Sequence, residues 1–239
     1  GPVFWSQSIV TEVYTLNALF GAVIAVLALS WLASRAEGGR PSISRPLAAA
    51  FLFGLGLGNH LTVAALAAPL LAILAFHVCR VRSFHLVLLA AGVAVGLGVY
   101  GYLPIAAAQT PPVNWGGADS WDGFRWMVTG GFYTDFFFGL PFADFDDRVV
   151  AWVDLMLDHF VAGLAVAAMG VWFLWRAQRP LSYALGFTFV SISIYATFYE
   201  TGDSFVFLIP ALQVLALWIG LGSYVLANKV LEPYLERYA

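Results

Sequence analysis

The side chains in this chain that could do chemistry are polar groups set into apolar sequence. Glu12, Tyr14 and Asn17 follow Phe4-Trp5-Ser6-Gln7, Asn59 and His60 end the run Gly54-Leu55-Gly56-Leu57-Gly58, and Asp154, Asp158 and His159 open a later apolar stretch. Inside lipid such groups are costly, so each is a functional hypothesis by default. Glu12 and Asn17 lie five residues apart, more than a helical turn, and need not point the same way. A Glu12 at the interface beside an aromatic belt weighs as much as a Glu12 lining a cavity. Asp154 and Asp158 share a helix face; they either line a cavity or form the wet first turn of a helix, where carboxylates suit the N-terminus.

A second chemical feature is the stretch 104–148. Here Trp115, Trp121, Trp126, Phe132, Tyr133, Phe136, Phe137, Phe138, Phe142 and Phe145 are interleaved with Asp119, Asp122, Asp135, Asp144, Asp146 and Asp147. A loop of this length is either functional or disordered, and so many large rings argue against disorder. Anchoring at a membrane interface explains individual rings, Phe136-Phe137-Phe138 above all. For the loop as a whole, aromatic faces beside carboxylates suit a sugar, whose C–H face stacks while its hydroxyls take hydrogen bonds.

These residues must be positioned by membrane helices. Of the 239 residues, 61% are hydrophobic and only 10% charged, and the mean hydropathy is +0.83, far from the balance of soluble domains. A net charge of −3 without runs of like charge leaves no footprint for nucleic acid. The single Cys79 forms no internal disulfide. The chain opens without an initiator Met and without a basic segment before a short apolar core, so no cleavable signal peptide is read and the natural N-terminus is expected upstream.

A spanning helix needs about 20 apolar residues. The segments 11–33, 46–59, 61–78, 84–103, 149–175, 181–198 and 205–227 are the candidates, in one integral membrane domain over 1–239. The expected fold class is thus all-α: a polytopic transmembrane helical bundle of about seven segments, with one long aromatic-rich outer loop at 104–148. Arg35, Arg40, Arg45, Arg80, Arg82, Arg176, Arg179, Lys229 and Arg237 fall in links on one side, which the positive-inside tendency assigns to the cytoplasm. The 104–148 loop and the 199–204 turn then face the other way. Arg45 and Arg80 share a side only if 46–78 crosses twice, which predicts a broken hairpin with Asn59 and His60 at its tip, facing a cavity or neighbouring helices. One long tilted helix with packing glycines is the alternative. Gly92 and Gly96 have the small-xxx-small spacing of close helix contacts.

Several blocks carry a family resemblance. Phe4-Trp5-Ser6-Gln7 with Glu12-Val13-Tyr14-Thr15-Leu16-Asn17, and then Gly54-Leu55-Gly56-Leu57-Gly58-Asn59-His60-Leu61-Thr62, resemble successive blocks of a GT-C-like polytopic membrane glycosyltransferase family that includes a vertebrate protein O-mannosyltransferase. Tyr102-Leu103-Pro104, Pro111-Pro112-Val113-Asn114-Trp115-Gly116, Trp126-Met127-Val128-Thr129-Gly130-Gly131 and Gly202-Asp203 with Pro210 follow in the same order.

The resemblance implies transfer of a sugar, mannose or similar, from a polyprenyl-phosphate carrier to an acceptor on the non-cytoplasmic face. Such a reaction needs a carboxylate for the acceptor proton and polar or cationic groups for the departing phosphate. It implies Asp203 as base and Glu12 as a catalytic or acceptor-positioning carboxylate. Asn59 and His60 would contact donor phosphate or sugar, Asn114 and Trp115 would shape the sugar site, Glu200 would line the pocket, and Arg125 would meet phosphate. The family's Asp-Ser-Gly-Glu-type acidic motif precedes the Phe-Trp-Ser-Gln block and has no counterpart after Gly1, so the chain is expected to be a fragment or to be non-catalytic alone. Expected partners are membrane lipid, the lipid-linked sugar, and other membrane subunits or an upstream part of the same protein; the membrane is bacterial plasma membrane or endoplasmic reticulum.

Two other classes compete. A non-catalytic subunit binding lipid, pigment or protein would use His60 and His159 as ligands, although no His/Cys spacing marks a metal cluster. A transporter would also use a broken helix pair, but no internal repeat is seen and the large loop suits handling at one face.

Overall fold

The computed structural model describes residues 2–10, 12–39, 41–80 and 82–231. Every regular element among them is helical: α1 (Pro2–Ser8), α2 (Tyr14–Ala36), α3 (Ser44–Leu57), α4 (Val63–Cys79), α5 (Phe84–Leu97), α6 (Tyr102–Ala107), α7 (Trp121–Val128), α8 (Phe145–Ala177), α9 (Arg179–Phe198) and α10 (Ile209–Val225), with short 3-10 and π turns between or after them. Five helical stretches are long and apolar enough to cross a membrane: Tyr14–Ala36, Phe84–Ala107, Phe142–Ala177, Arg179–Phe198 and Ser204–Asn228. The chain is an all-α integral membrane bundle.

The stretch 46–78 is two helices. α3 and α4 are separated by residues 58–62, and both ends of the pair are tied to α2. At the tip, Asn59 Nδ2 donates to Val13 O at 3.0 Å and Asn17 Nδ2 to Thr62 Oγ1 at 2.9 Å. At the far end, Trp31 Nε1 donates to Ser42 O at 3.0 Å, while His77 lies with Arg35 around a cavity between α2, α4 and the start of α9. The hairpin is therefore antiparallel, and Arg35, Arg45, Arg80, Arg176 and Arg179 gather at one basic end. Arg40 and Arg237, and the side chain of Lys229, lie outside the described residues.

Small residues set the closest helix contacts. Gly54 and Gly96 bring the α3 and α5 backbones together: a Cβ at Gly96 would clash with Phe51 O and lie 2.6 Å from Leu55 N. Gly170 and Gly222 do the same for α8 and α10, each facing the other helix's carbonyls. Polar side chains lock further pairs, as expected where no water competes. Gln213 Nε2 on α10 donates to Ala18 O on α2 at 2.7 Å. On α4, Pro69 has no N–H for the carbonyl of Ala65, and the fully buried Thr188 of α9 donates its hydroxyl to that carbonyl at 2.7 Å.

Boundaries differ from the sequence reading where local bonds intervene. The first span starts at Tyr14 rather than 11, because α1 folds beside it with Thr15 Oγ1 donating to Gln7 O at 2.7 Å. Glu12 thus lies in the link ahead of the helix, and Thr11 lies outside the described residues. The 84–103 segment runs on through a 3-10 turn at Gly98–Gly101 to Ala107, and α8 begins at Phe145 and is kinked at Val161. The 104–148 loop is itself largely helical turns. Ser120 caps α7 by accepting from Gly123 N at 3.1 Å, the usual N-terminal device. Gly130, with φ +68°, reverses the chain after α7, a conformation that favours glycine.

Candidate functional site

At the end of the bundle opposite the basic links, the hairpin tip, the start of α2, the end of α9 and the turn around Gly130 enclose a cavity of about 410 Å³. This is within the usual size range of small-molecule sites. Its wall includes Glu12, Tyr14, Asn59, His60, Thr62, Thr129, Tyr133, Tyr195, Tyr199 and Phe207. Phe207 is buried and central: its ring lies 4.8 Å from Tyr199, 5.5 Å from Tyr195, and 5.9 Å from both Tyr14 and His60. These separations are those of favourable aromatic packing, so the wall is rigid and apolar in body while its hydroxyls and the imidazole are polar at the tips.

His60 is oriented by Thr62. The backbone N–H of Thr62 approaches His60 Nδ1 at 3.3 Å, and its hydroxyl lies 2.8 Å from the same nitrogen. An N–H donor aimed at Nδ1 makes that nitrogen an acceptor, so the ring proton is on Nε2. The relay then runs from Asn17 Nδ2–H to the Thr62 hydroxyl, and from that hydroxyl to His60 Nδ1. Burial lowers the His60 pKa, because desolvation disfavours the charged ring. The site therefore offers a neutral imidazole with one N–H donor.

The buried Tyr199, just beyond α9, is hydrogen-bonded to the Tyr195 hydroxyl. Its pKa is raised by burial first and then by the charges of Tyr133 and Asp203, with the Tyr195 hydrogen bond acting the other way. Tyr199 stays a neutral phenol, and Asp203 is close enough for its charge to be felt in the cavity wall.

The fold brings Glu12, Asn59 and His60 together in this cavity. Asp203 is exposed on the adjoining turn, and Glu200 is exposed with its backbone N–H donating to Phe136 O at 3.1 Å. Asn114 is exposed on extended backbone before the Trp115–Gly117 turn, and Arg125 is exposed on α7; neither lines the cavity. The Trp115 side chain lies outside the described residues. Asp154 and Asp158 are exposed on α8, and His159 Nδ1 is buried without a partner there. Among the described residues no three His, Cys, Asp or Glu side chains converge.

Sequence reasoning did not single out Tyr195, Tyr199, Thr129 or Phe207. The available signal was the Tyr195/Tyr199 spacing at the end of an apolar helix, directly before Glu200 and Asp203. Arg148, to which the sequence assigned no role, donates to the Ser204 hydroxyl and, at 2.8 Å, to Thr201 O. It thereby clamps the turn that carries Asp203.

Neither a curated protein nor a solved structure matches the chain. One family model does, and it contains both of the first two blocks of resemblance, while the later blocks lie outside it. Residues 2–84, which supply Glu12, Asn59 and His60 to the cavity, are similar to the family described as Protein O-mannosyl-transferase TMEM260 N-terminal domain.

Proposed function

We propose that the chain forms part of a GT-C-like membrane glycosyltransferase that moves a sugar, mannose or similar, from a polyprenyl-phosphate carrier to an acceptor hydroxyl on the non-cytoplasmic face. The observation that carries this reading is that three polar residues of the family-matched stretch, Glu12, Asn59 and His60, meet in one aromatic cavity. Tyrosine rings with hydroxyl tips are suited to a sugar, whose C–H face packs on rings while its hydroxyls are bonded at the edges.

In the proposed reaction the acceptor oxygen attacks the anomeric carbon. The bond from that carbon to the carrier phosphate breaks, its electron pair leaves on the phosphate, and the acceptor proton passes to a carboxylate. Glu12 lines the cavity and takes the proton in this scheme. Asp203, exposed on the adjoining turn, is the second carboxylate of the scheme and assists that proton transfer, and the neutral His60 donates Nε2–H to a sugar or phosphate oxygen.

The test is mannose transfer from a polyprenyl-phosphate-linked donor to a Ser/Thr peptide, using the whole protein that carries this chain in detergent–lipid micelles. Glu12→Gln is expected to lower turnover by about 10²–10⁴, the usual worth of a general base. Asp203→Asn is expected to lose transfer with membrane insertion unchanged. Wild-type rates in both variants would remove these carboxylates from the mechanism, and no transfer from any lipid-linked sugar would refute the reaction itself.

A further inference from the structure

On the other side of the 199–208 turn, away from the tyrosine-lined cavity, α8, α9 and the turn leading into α10 enclose a second cavity of about 390 Å³. Its walls are mainly apolar, including Ala151, Trp152, Leu155, Phe205 and Leu208, yet Arg148 lies in them. Arg148 is half-buried, and its side-chain bonds are to the Ser204 hydroxyl and Thr201 O. Among the described residues no carboxylate pairs with it. A cation beside apolar walls without a counter-charge is expensive, and the planar guanidinium retains donors beyond those two bonds.

Next to the cavity is a groove of about 190 Å³ between α8 and α9, lined by Phe145, Val149, Ser193, Ile194 and Phe198; Trp152 and Thr197 line both. The buried Trp152 Nε1 and Ser193 Oγ have no hydrogen-bond partner. The surrounding faces of both helices carry exposed apolar side chains such as Val150, Val153, Val190 and Ile194. Such a surface faces lipid rather than water.

We propose that this cavity and groove form a binding site for a phosphate-bearing glycerolipid of the membrane, with the head group on Arg148 and an acyl chain along the α8/α9 groove. The guanidinium fork matches phosphate oxygens and supplies the missing charge pairing. Trp152 sits at the junction of head and tail. No sugar or acceptor is involved, so the site stands or falls apart from the transfer reaction.

The test is saturable binding of radiolabelled phosphatidic acid to the purified whole protein in detergent micelles, with diacylglycerol and inorganic phosphate as the other probes. Phosphatidic acid is expected to bind at least about tenfold tighter than diacylglycerol, the worth of a charge-assisted hydrogen bond. Arg148→Gln is expected to remove that preference. Thr197→Phe, which fills the junction and leaves the Arg148 bonds in place, is expected to weaken phosphatidic acid and spare the thermal midpoint, so the site remains testable even if Arg148→Gln loosens the turn. Equal binding of phosphatidic acid and diacylglycerol by the wild type, or undiminished phosphatidic acid binding in Thr197→Phe, would overturn the proposal. Full competition by inorganic phosphate at equal concentration would likewise overturn it, leaving an anion site without a lipid.

Discussion

Thr62→Val replaces a hydroxyl by a methyl of similar size at the hairpin tip and so isolates the relay that orients His60. In the native protein that hydroxyl accepts from Asn17 Nδ2 at 2.9 Å and lies 2.8 Å from His60 Nδ1. Asn17 is only 3% exposed, and its Oδ1 already lacks a partner, so the substitution strips a buried amide of its side-chain bond. Leaving such a group unpaired costs about 1–3 kcal/mol. His60 keeps the backbone N–H of Thr62 and loses about 0.5–1 kcal/mol from the hydroxyl bond. The expected destabilisation is about 2 kcal/mol, a factor of up to roughly 30 in the folded-to-unfolded ratio. Thr62→Ser, which keeps the hydroxyl, is the control and should be close to wild type.

Equilibrium unfolding in mixed micelles reads this directly, and a double-mutant cycle sharpens it. Asn17→Leu with Thr62→Val removes both partners, so their combined cost should fall short of the sum of the single costs by about 0.6 kcal/mol and at most about 1.7 kcal/mol, the average and the maximum for interhelical hydrogen bonds in membranes. Additive costs, or a Thr62→Val protein as stable as Thr62→Ser, would refute the relay.

Two further outcomes follow from the same accounting. Thr188→Val should cost about 1–3 kcal/mol by stranding the Ala65 carbonyl that Pro69 leaves free, and Pro69→Ala should rescue it by restoring an N–H to that carbonyl; thermal unfolding of the two single variants and the pair shows whether the rescue occurs. Because burial holds the folded-state pKa of His60 below its usual 6.5, its contribution to stability is complete above about pH 6.5 and is lost as the pH falls toward the folded value. Melting curves between pH 7.5 and 5 should show a steeper loss for wild type than for His60→Gln, and parallel curves would count against it.

The features readable in the sequence were those that cost energy on their own. Placing Arg45 and Arg80 on one side predicted a hairpin in 46–78, and two antiparallel helices are found there; Asn59 and His60 stood out because polar groups in an apolar run need an internal partner. The partners themselves were hidden. Ala65 and Thr188 are 123 residues apart, Ala18 and Gln213 195, and Arg148 and Ser204 56, so no local pattern joins them. Tyr195 and Tyr199 were hidden differently: a tyrosine near the end of an apolar helix has the composition of an interfacial anchor, and only packing against Phe207 turns these two into a cavity wall. Glu12 shows the limit of hydropathy for boundaries, since the α1 helix folds back and ends the apolar run before the first span begins.

The polar residues at the hairpin tip divide by what their bonds leave over. Asn17 Nδ2 and the Thr62 hydroxyl are committed within the protein, and Asn59 commits its Nδ2 to Val13 O. His60 is different, because its Nδ1 is taken by Thr62 while Nε2–H remains for the cavity it lines. The same tip therefore both seats the hairpin on α2 and fixes the tautomer of the one imidazole in the site. That coupling separates the roles of neighbouring residues: replacing Asn59 or Thr62 should act through the position of the tip and so change stability and site geometry together, whereas replacing His60 should leave the α2–hairpin bonds from Asn17 and Asn59 standing and remove only what the ring presents.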